Sequence, residues 1–174
     1  MPKSLRQIRV EGDVAFVPLT QGYEAIIDAA DVSLVEGFNW CAIVVRRSDG
    51  SILNVYASRS TRSERKTTVL MHRVIAETPD GLDTDHKDGD GLNNRRSNLR
   101  NATKSQNHHN TRTPIHNSSG VKGVRWNKRD RRWVARIVLC GKHIHLGSFA
   151  KMDDAVSAYA EASHKLHGEF GRRA

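Results

Sequence analysis

The stretch Asp83 to Asn110, DTDHKDGDGLNNRRSNLRNATKSQNHHN, decides how the rest of the chain is read. It sets Asp85 beside His86, continues through a loop of Gly, Asp and Asn, and returns along Asn98-Leu99-Arg100. Thr103 and Gln106 then have the spacing of a capping box, which predicts a helix starting near Thr103 and carrying Asn107 in its first turns. A carboxylate, an imidazole and a carboxamide oxygen therefore lie on three elements that a hairpin followed by a helix can bring together.

Hydrolysis of a phosphodiester asks for those groups. It needs a water that loses its proton, a stabiliser for charge on the leaving oxygen, and an in-line arrangement of the two. A neutral imidazole accepts the proton near physiological pH, which makes His86 the candidate general base. Oxygen ligands such as Asp85 and Asn107 suit a hard divalent cation that keeps several waters, Mg²⁺ first and Mn²⁺ second, acting as a Lewis acid. A calcium loop of the EF-hand kind fits less well: the register starting at Asp83 puts Lys87 at a ligand position and Asp88 where glycine belongs. A purely polar turn, rich in Asp and Asn for backbone reasons, is the other reading of this segment.

With Asn98 twelve residues after His86 and Asn107 nine further on, the pattern resembles the ββα-metal motif of HNH homing endonucleases. The resemblance implies that Asp85 and Asn107 hold the cation, that His86 activates water, and that Asn98 orients His86 by tying the hairpin together. Asn107 stands where many relatives carry His. The resemblance also implies products with 5′-phosphate and 3′-hydroxyl ends, and Met71-His72-Arg73 resembles the family's approach strand and helix.

Upstream, Val14–Val17, Tyr23–Ile27, Cys41–Val45 and Ile52–Ala57 read as strands separated by Gly, Asp and Asn. Asp28 is placed to cap a short helix reaching Glu36, with Gly37 as its C′ residue. Nothing in this β-rich segment looks chemical, and a scaffold or accessory DNA-contact surface is its expected role. Residues 59–69 form a basic loop or strand edge, and Val69–Ala76 a helix start.

The formal net charge of the 174 residues is +9, which favours polyanionic partners. Residues 1–58 carry five Lys/Arg against seven Asp/Glu, residues 59–116 eleven against seven, and residues 117–174 twelve against five. The positive charge therefore grows toward the C-terminus, as a phosphate-contacting half would require. Cys41 and Cys140 stand far apart, so neither a disulfide framework nor a cysteine-based zinc site is expected. No apolar run approaches the roughly 20 residues that cross a bilayer, and the expectation is a soluble, cytoplasmic protein without membrane association.

Residues 119–174 read as three strands and one helix. Trp133, Ala135, Ile137 and Leu139 share one face of a strand, and Arg132, Val134, Arg136 and Val138 the other. Ile144 and Leu146 alternate with His143 and His145 in the next. Asp153–His167 suits an amphipathic helix, with Ala155, Ala158, Tyr159, Ala162 and Leu166 toward the sheet and Gly168 at its end. Val121–Arg125, Arg132–Ile137, His145–Phe149 and Asp154–Tyr159 resemble the AP-two/ethylene-response-factor DNA-binding domain. That resemblance implies a three-stranded sheet in the major groove, with Lys122, Arg125, Arg136, His143 and His145 facing DNA.

The expected fold is α+β: a β-rich N-terminal segment (1–58), an HNH ββα-metal nuclease domain (59–113), a linker (114–120), and a C-terminal three-stranded antiparallel sheet on one helix (121–174). The expected activity is metal-dependent nicking of double-stranded DNA by a monomer or homodimer, in the manner of a phage or mobile-element homing endonuclease. A DNA-binding regulator on an inactive nuclease scaffold is the alternative.

Overall fold

The computed structural model describes residues 4–61, 67–109, 117, 119–139 and 141–170. The chain divides into two compact units, Met1–Thr103 and Lys104–Ala174. Both are built from small antiparallel sheets and few helices, which is the α+β class read from the sequence.

The first unit opens with a meander of β1 (Arg9–Glu11), β2 (Val14–Pro18) and β3 (Glu24–Asp28). Alternation decides its inner face. Ala15 pairs with Ile27 and Val17 with Ala25, and all four are buried. A 3-10 turn at Ala29–Asp31 runs into a single helical turn, α1 (Val32–Val35). Gly37, at φ +77°, ends it as the sequence predicts. Asp28 does not cap this helix; its carboxylate accepts instead from Arg95 Nε at 2.7 Å and the Arg96 amide at 2.8 Å.

A second sheet follows, β4 (Cys41–Arg46), β5 (Ile52–Ser60) and β6 (Thr68–Leu70), the last leading directly into α2 (Met71–Ile75). A hairpin of β7 (Asp83–His86) and β8 (Leu99–Ala102) completes the unit. One core joins most of these: Ala15, Val17, Leu19, Ala25 and Ile27 meet Val35, Trp40, Ala57, Met71, Ile75 and Leu99. Trp40 fills its centre, and its indole nitrogen donates to the Val35 carbonyl at 2.9 Å, so the large ring is buried without an unmet donor. The boundary expected at 58/59 falls inside β5, and the residues on its two sides share this core.

The second unit begins with α3 (Lys104–His109), immediately after Thr103 at the expected capping position. Of the expected linker at 114–120, Asn117, Ser119 and Gly120 are described and the rest lies outside the described residues. Three strands follow, β9 (Val124–Asn127), β10 (Arg132–Leu139) and β11 (Lys142–Phe149), in an antiparallel sheet with β10 central. Helix α4 (Met152–His167) covers one face, burying Ala155 and Tyr159 against Val124, Ala135 and Ile137.

Two details depart from the simple alternation. Ala135 pairs with Gly147 and Arg136 with His145, so Leu146 is left without an opposite residue and forms a β-bulge. Gly147 takes φ +149°, and a Cβ there would lie 2.7 Å from the Phe149 ring, which requires glycine. Val134, expected on the polar face, is buried, whereas Ile144, expected among the core residues, is exposed.

Candidate active site

The β7–β8 hairpin sets Asp85 opposite Arg100 and His86 opposite Leu99. Asp85 is 5% exposed, and its Oδ2 accepts from Arg100 Nε at 2.8 Å and from a terminal guanidinium nitrogen at 2.6 Å. A buried carboxylate of this kind needs such compensation, because an unpaired charge in the interior is strongly disfavoured. His86, 6% exposed, turns to different partners. Its ring meets His72 edge-on at 5.0 Å between centroids and Tyr56 at 6.0 Å, and Tyr56 also contacts His72 at 5.7 Å. The His86 Nε2 lies 3.1 Å from Asn94 Oδ1.

Burial disfavours charge on both imidazoles. Burial lowers the His86 pKa below its ordinary value, outweighing the Asn94 hydrogen bond and the charges of Asp88, Asp85 and Asp90, which raise it. His72 is pushed down to about 3, by burial first and then by His86 and Arg73, and its buried Nδ1 has no hydrogen-bond partner among the described residues.

The loop between β7 and β8 is stiffened from within. Asn98 accepts from the Asp88 amide at 3.1 Å and donates to Asp88 Oδ1 at 3.0 Å and the Asn93 carbonyl at 2.8 Å. Burial opposes the Asp88 charge, but bonds from the Asp90 amide, Asn93 and Asn98 prevail and hold its carboxyl below the usual range. Gly91 lies against β5, where a Cβ would come within 2.5 Å of the Tyr56 ring and the Val55 carbonyl. The N-terminal acids hold the same loop from outside: Arg95 pairs with Asp28 and Asp13, and Arg96 with Asp31. Much of the negative charge of residues 1–58 is thereby spent on scaffold.

Asp85, His86 and Asn98 thus lie together on one hairpin, and Asn107 lies on α3 in the second unit. Among the described residues no group of three or more His, Cys, Asp or Glu side chains could hold a metal ion. The Asp85 carboxylate is an oxygen donor of the kind a hard cation takes. Sequence reasoning passed over Tyr56, Asn94 and Arg100 as functional groups. Parity marked Tyr56 only as a strand residue, and Asn94 read as one more loop-forming asparagine.

On the second unit, register places four of the five expected DNA-facing residues on one face. Arg125 opposes Val134, Arg136 opposes His145 and Val138 opposes His143, and Arg125, Arg136, His143 and His145 are all exposed. Lys122 is half-buried and stands by the end of α4, where burial first and then its charge lower the His167 pKa.

The hairpin, its Asp-His pair and the helix that follows define an HNH nuclease domain, and residues 69–109 match the family described as HNH endonuclease. The chain is also 35% identical over 111 residues to Protein 3.8 of Escherichia phage T7, an alignment covering 64% of this chain and 91% of that protein. The chain belongs to the family of that phage protein. No solved structure matches it. The HNH domain points to a DNA endonuclease. No helix among the described residues is long and apolar enough to cross a membrane.

Proposed function

We propose that the chain is a divalent-metal-dependent endonuclease that hydrolyses one phosphodiester of duplex DNA per active centre, and so nicks as a monomer. The observation that supports this most directly is the Asp85-His86 pair on a hairpin braced from both sides, inside the segment that matches the HNH endonuclease family.

In this reading His86 takes the proton of a water whose oxygen attacks phosphorus. The P–O3′ bond breaks, the departing oxygen takes a proton from solvent, and 5′-phosphate and 3′-hydroxyl ends result. Asp85 and Asn107 would hold a cation, Mg²⁺ or Mn²⁺, which supplies Lewis acidity toward the phosphate. Arg100 orients Asp85 through its two hydrogen bonds to Oδ2. Asn98 holds the loop and does not touch substrate.

The exposed face bearing Arg125, Arg136, His143 and His145 would lie against duplex DNA in the major groove, in the manner of the AP-two-like domain that residues 121–174 resemble. The second unit would then position the nuclease on its target. Incubation with supercoiled plasmid and Mg²⁺ or Mn²⁺ should yield open circles, and His86→Ala should abolish them with DNA binding retained. Absence of cleavage with every cation, across many target sequences, would leave a DNA-binding regulator as the better description.

A further inference from the structure

Asn94, at 0% exposure, is the most buried polar residue among the described residues of the first unit, and the orientation of its carboxamide is fixed. Its Nδ2 donates to the Leu92 carbonyl at 3.1 Å and points at the Met71 sulfur at 3.9 Å. The reverse orientation would set two oxygens against each other, so Oδ1 is the atom that faces His86 Nε2. An amide oxygen only accepts. The Nε2 must therefore carry the imidazole proton, which leaves the lone pair on Nδ1.

We propose that Asn94 is a positioning residue that sets the tautomer and ring orientation of His86 and so makes Nδ1 the nitrogen that receives a proton. This rests on the reading of His86 as the general base. Asn94 itself is held by the edge of β3: its backbone N–H donates to the Ile26 carbonyl at 2.7 Å, and the Ile26 backbone N–H donates to the Leu92 carbonyl at 2.8 Å. Asn93 bridges to Ile26 in parallel register, and the Arg95 and Arg96 ion pairs lie directly beyond. The N-terminal meander is thus part of the catalytic apparatus, reaching His86 through a single carboxamide.

Nitrogen-15 NMR of the full chain at pH 8 tests this, with the His86 signals assigned by their loss in His86→Ala. The expected result is a directly observed Nε2–H with a pyridine-type Nδ1, and loss of that N–H signal in Asn94→Ala. Asn94→Asp, which keeps the acceptor, should keep the tautomer. Plasmid nicking by Asn94→Ala should fall about tenfold or more in kcat at unchanged DNA affinity. A pyridine-type Nε2 in the unsubstituted protein, or an Nε2–H signal and kcat untouched by Asn94→Ala, overturns the proposal. If Asn94→Ala does not fold, the unsubstituted protein and Asn94→Asp decide it. The expected tautomer in a protein that cleaves no DNA would support the role of Asn94 and overturn the nuclease reading alone.

Discussion

The imidazole of His72 stands edge-on to that of His86, with ring planes at 85° and centroids 5.0 Å apart. Burial disfavours charge on both imidazoles, and the nearness of His86 adds to that effect on His72. His72 enters from the start of α2 and His86 from the end of β7, so the contact also ties the helix to the hairpin.

Burial of His72, with His86 beside it, makes stability depend on pH in a definite direction. The folded pKa of His72, about 3, lies below its unfolded value near 6.5, so between them the unfolded chain binds more protons. The stability contribution is complete above pH 6.5 and is lost as pH falls toward 3, with a slope of up to about 1.4 kcal/mol per pH unit. His86, shifted in the same sense, adds to it. Urea titrations at pH 7.5, 5.5 and 4.5 should show this loss, and His72→Phe should reduce the slope by about one proton's worth. Equal slopes in the two proteins would show that His72 is not held neutral by the fold.

The Asp85–Arg100 pair should behave as a coupled unit. Arg100→Met leaves a buried carboxylate without its cation, at a cost of about 3–5 kcal/mol. Asp85→Asn combined with Arg100→Met should cost less than the sum of the single substitutions. If Asp85 also ligates a divalent ion, Mg²⁺ should restore part of the Tm lost in Arg100→Met and none of it in the double variant. A Tm independent of Mg²⁺ in all of these proteins would argue against Asp85 as a ligand.

The elements read most easily from sequence were those in which a single face meets a core. Ala15, Val17, Ala25 and Ile27 alternate along β2 and β3, and Ala155 and Tyr159 recur at helical spacing along α4, so local periodicity was sufficient. The Asp85, His86 and Asn98 spacing was legible through its resemblance to the HNH motif, and the hairpin brings these residues together. What stayed hidden depends on partners distant along the chain. Asp28 has the local signature of a helix cap, yet arginines 67 and 68 residues later take its carboxylate. Asn94 matters through β3, and β3 carries no chemical signature. The bulge at Leu146 shifts the register of β11 through backbone geometry that side-chain alternation does not report.

Gly91 offers a stringent check on the packing of the site loop. Its backbone conformation is open to alanine, but a Cβ would meet the Tyr56 ring and the Val55 carbonyl at 2.5 Å. Since β5 is backed by the core, the loop must move instead. Gly91→Ala should lower stability by about 1–3 kcal/mol, as overpacking does, and disturb the backbone amide signals of residues 88–94 more than those of β9–β11. Unchanged stability would mean that this loop is held less tightly than its contacts imply.

The sheet of the second unit separates two kinds of positive charge. Arg136 lies on the central strand opposite His145, where a side chain aimed into a groove would reach base edges. Lys128 is exposed in the turn between β9 and β10, off the proposed groove-facing surface, where in that reading it would meet a phosphate. Arg136→Ala should therefore weaken binding to the preferred site by about 1–3 kcal/mol, with less effect on unrelated sequences, if it makes a bidentate contact with guanine. Lys128→Ala should weaken binding to all sequences alike and reduce the salt dependence by about one counterion. Salt-titrated affinities on the preferred site and on a scrambled duplex give both quantities. Identical behaviour of the two variants would mean that the sheet contacts only the DNA backbone, and that sequence selection resides elsewhere in the chain.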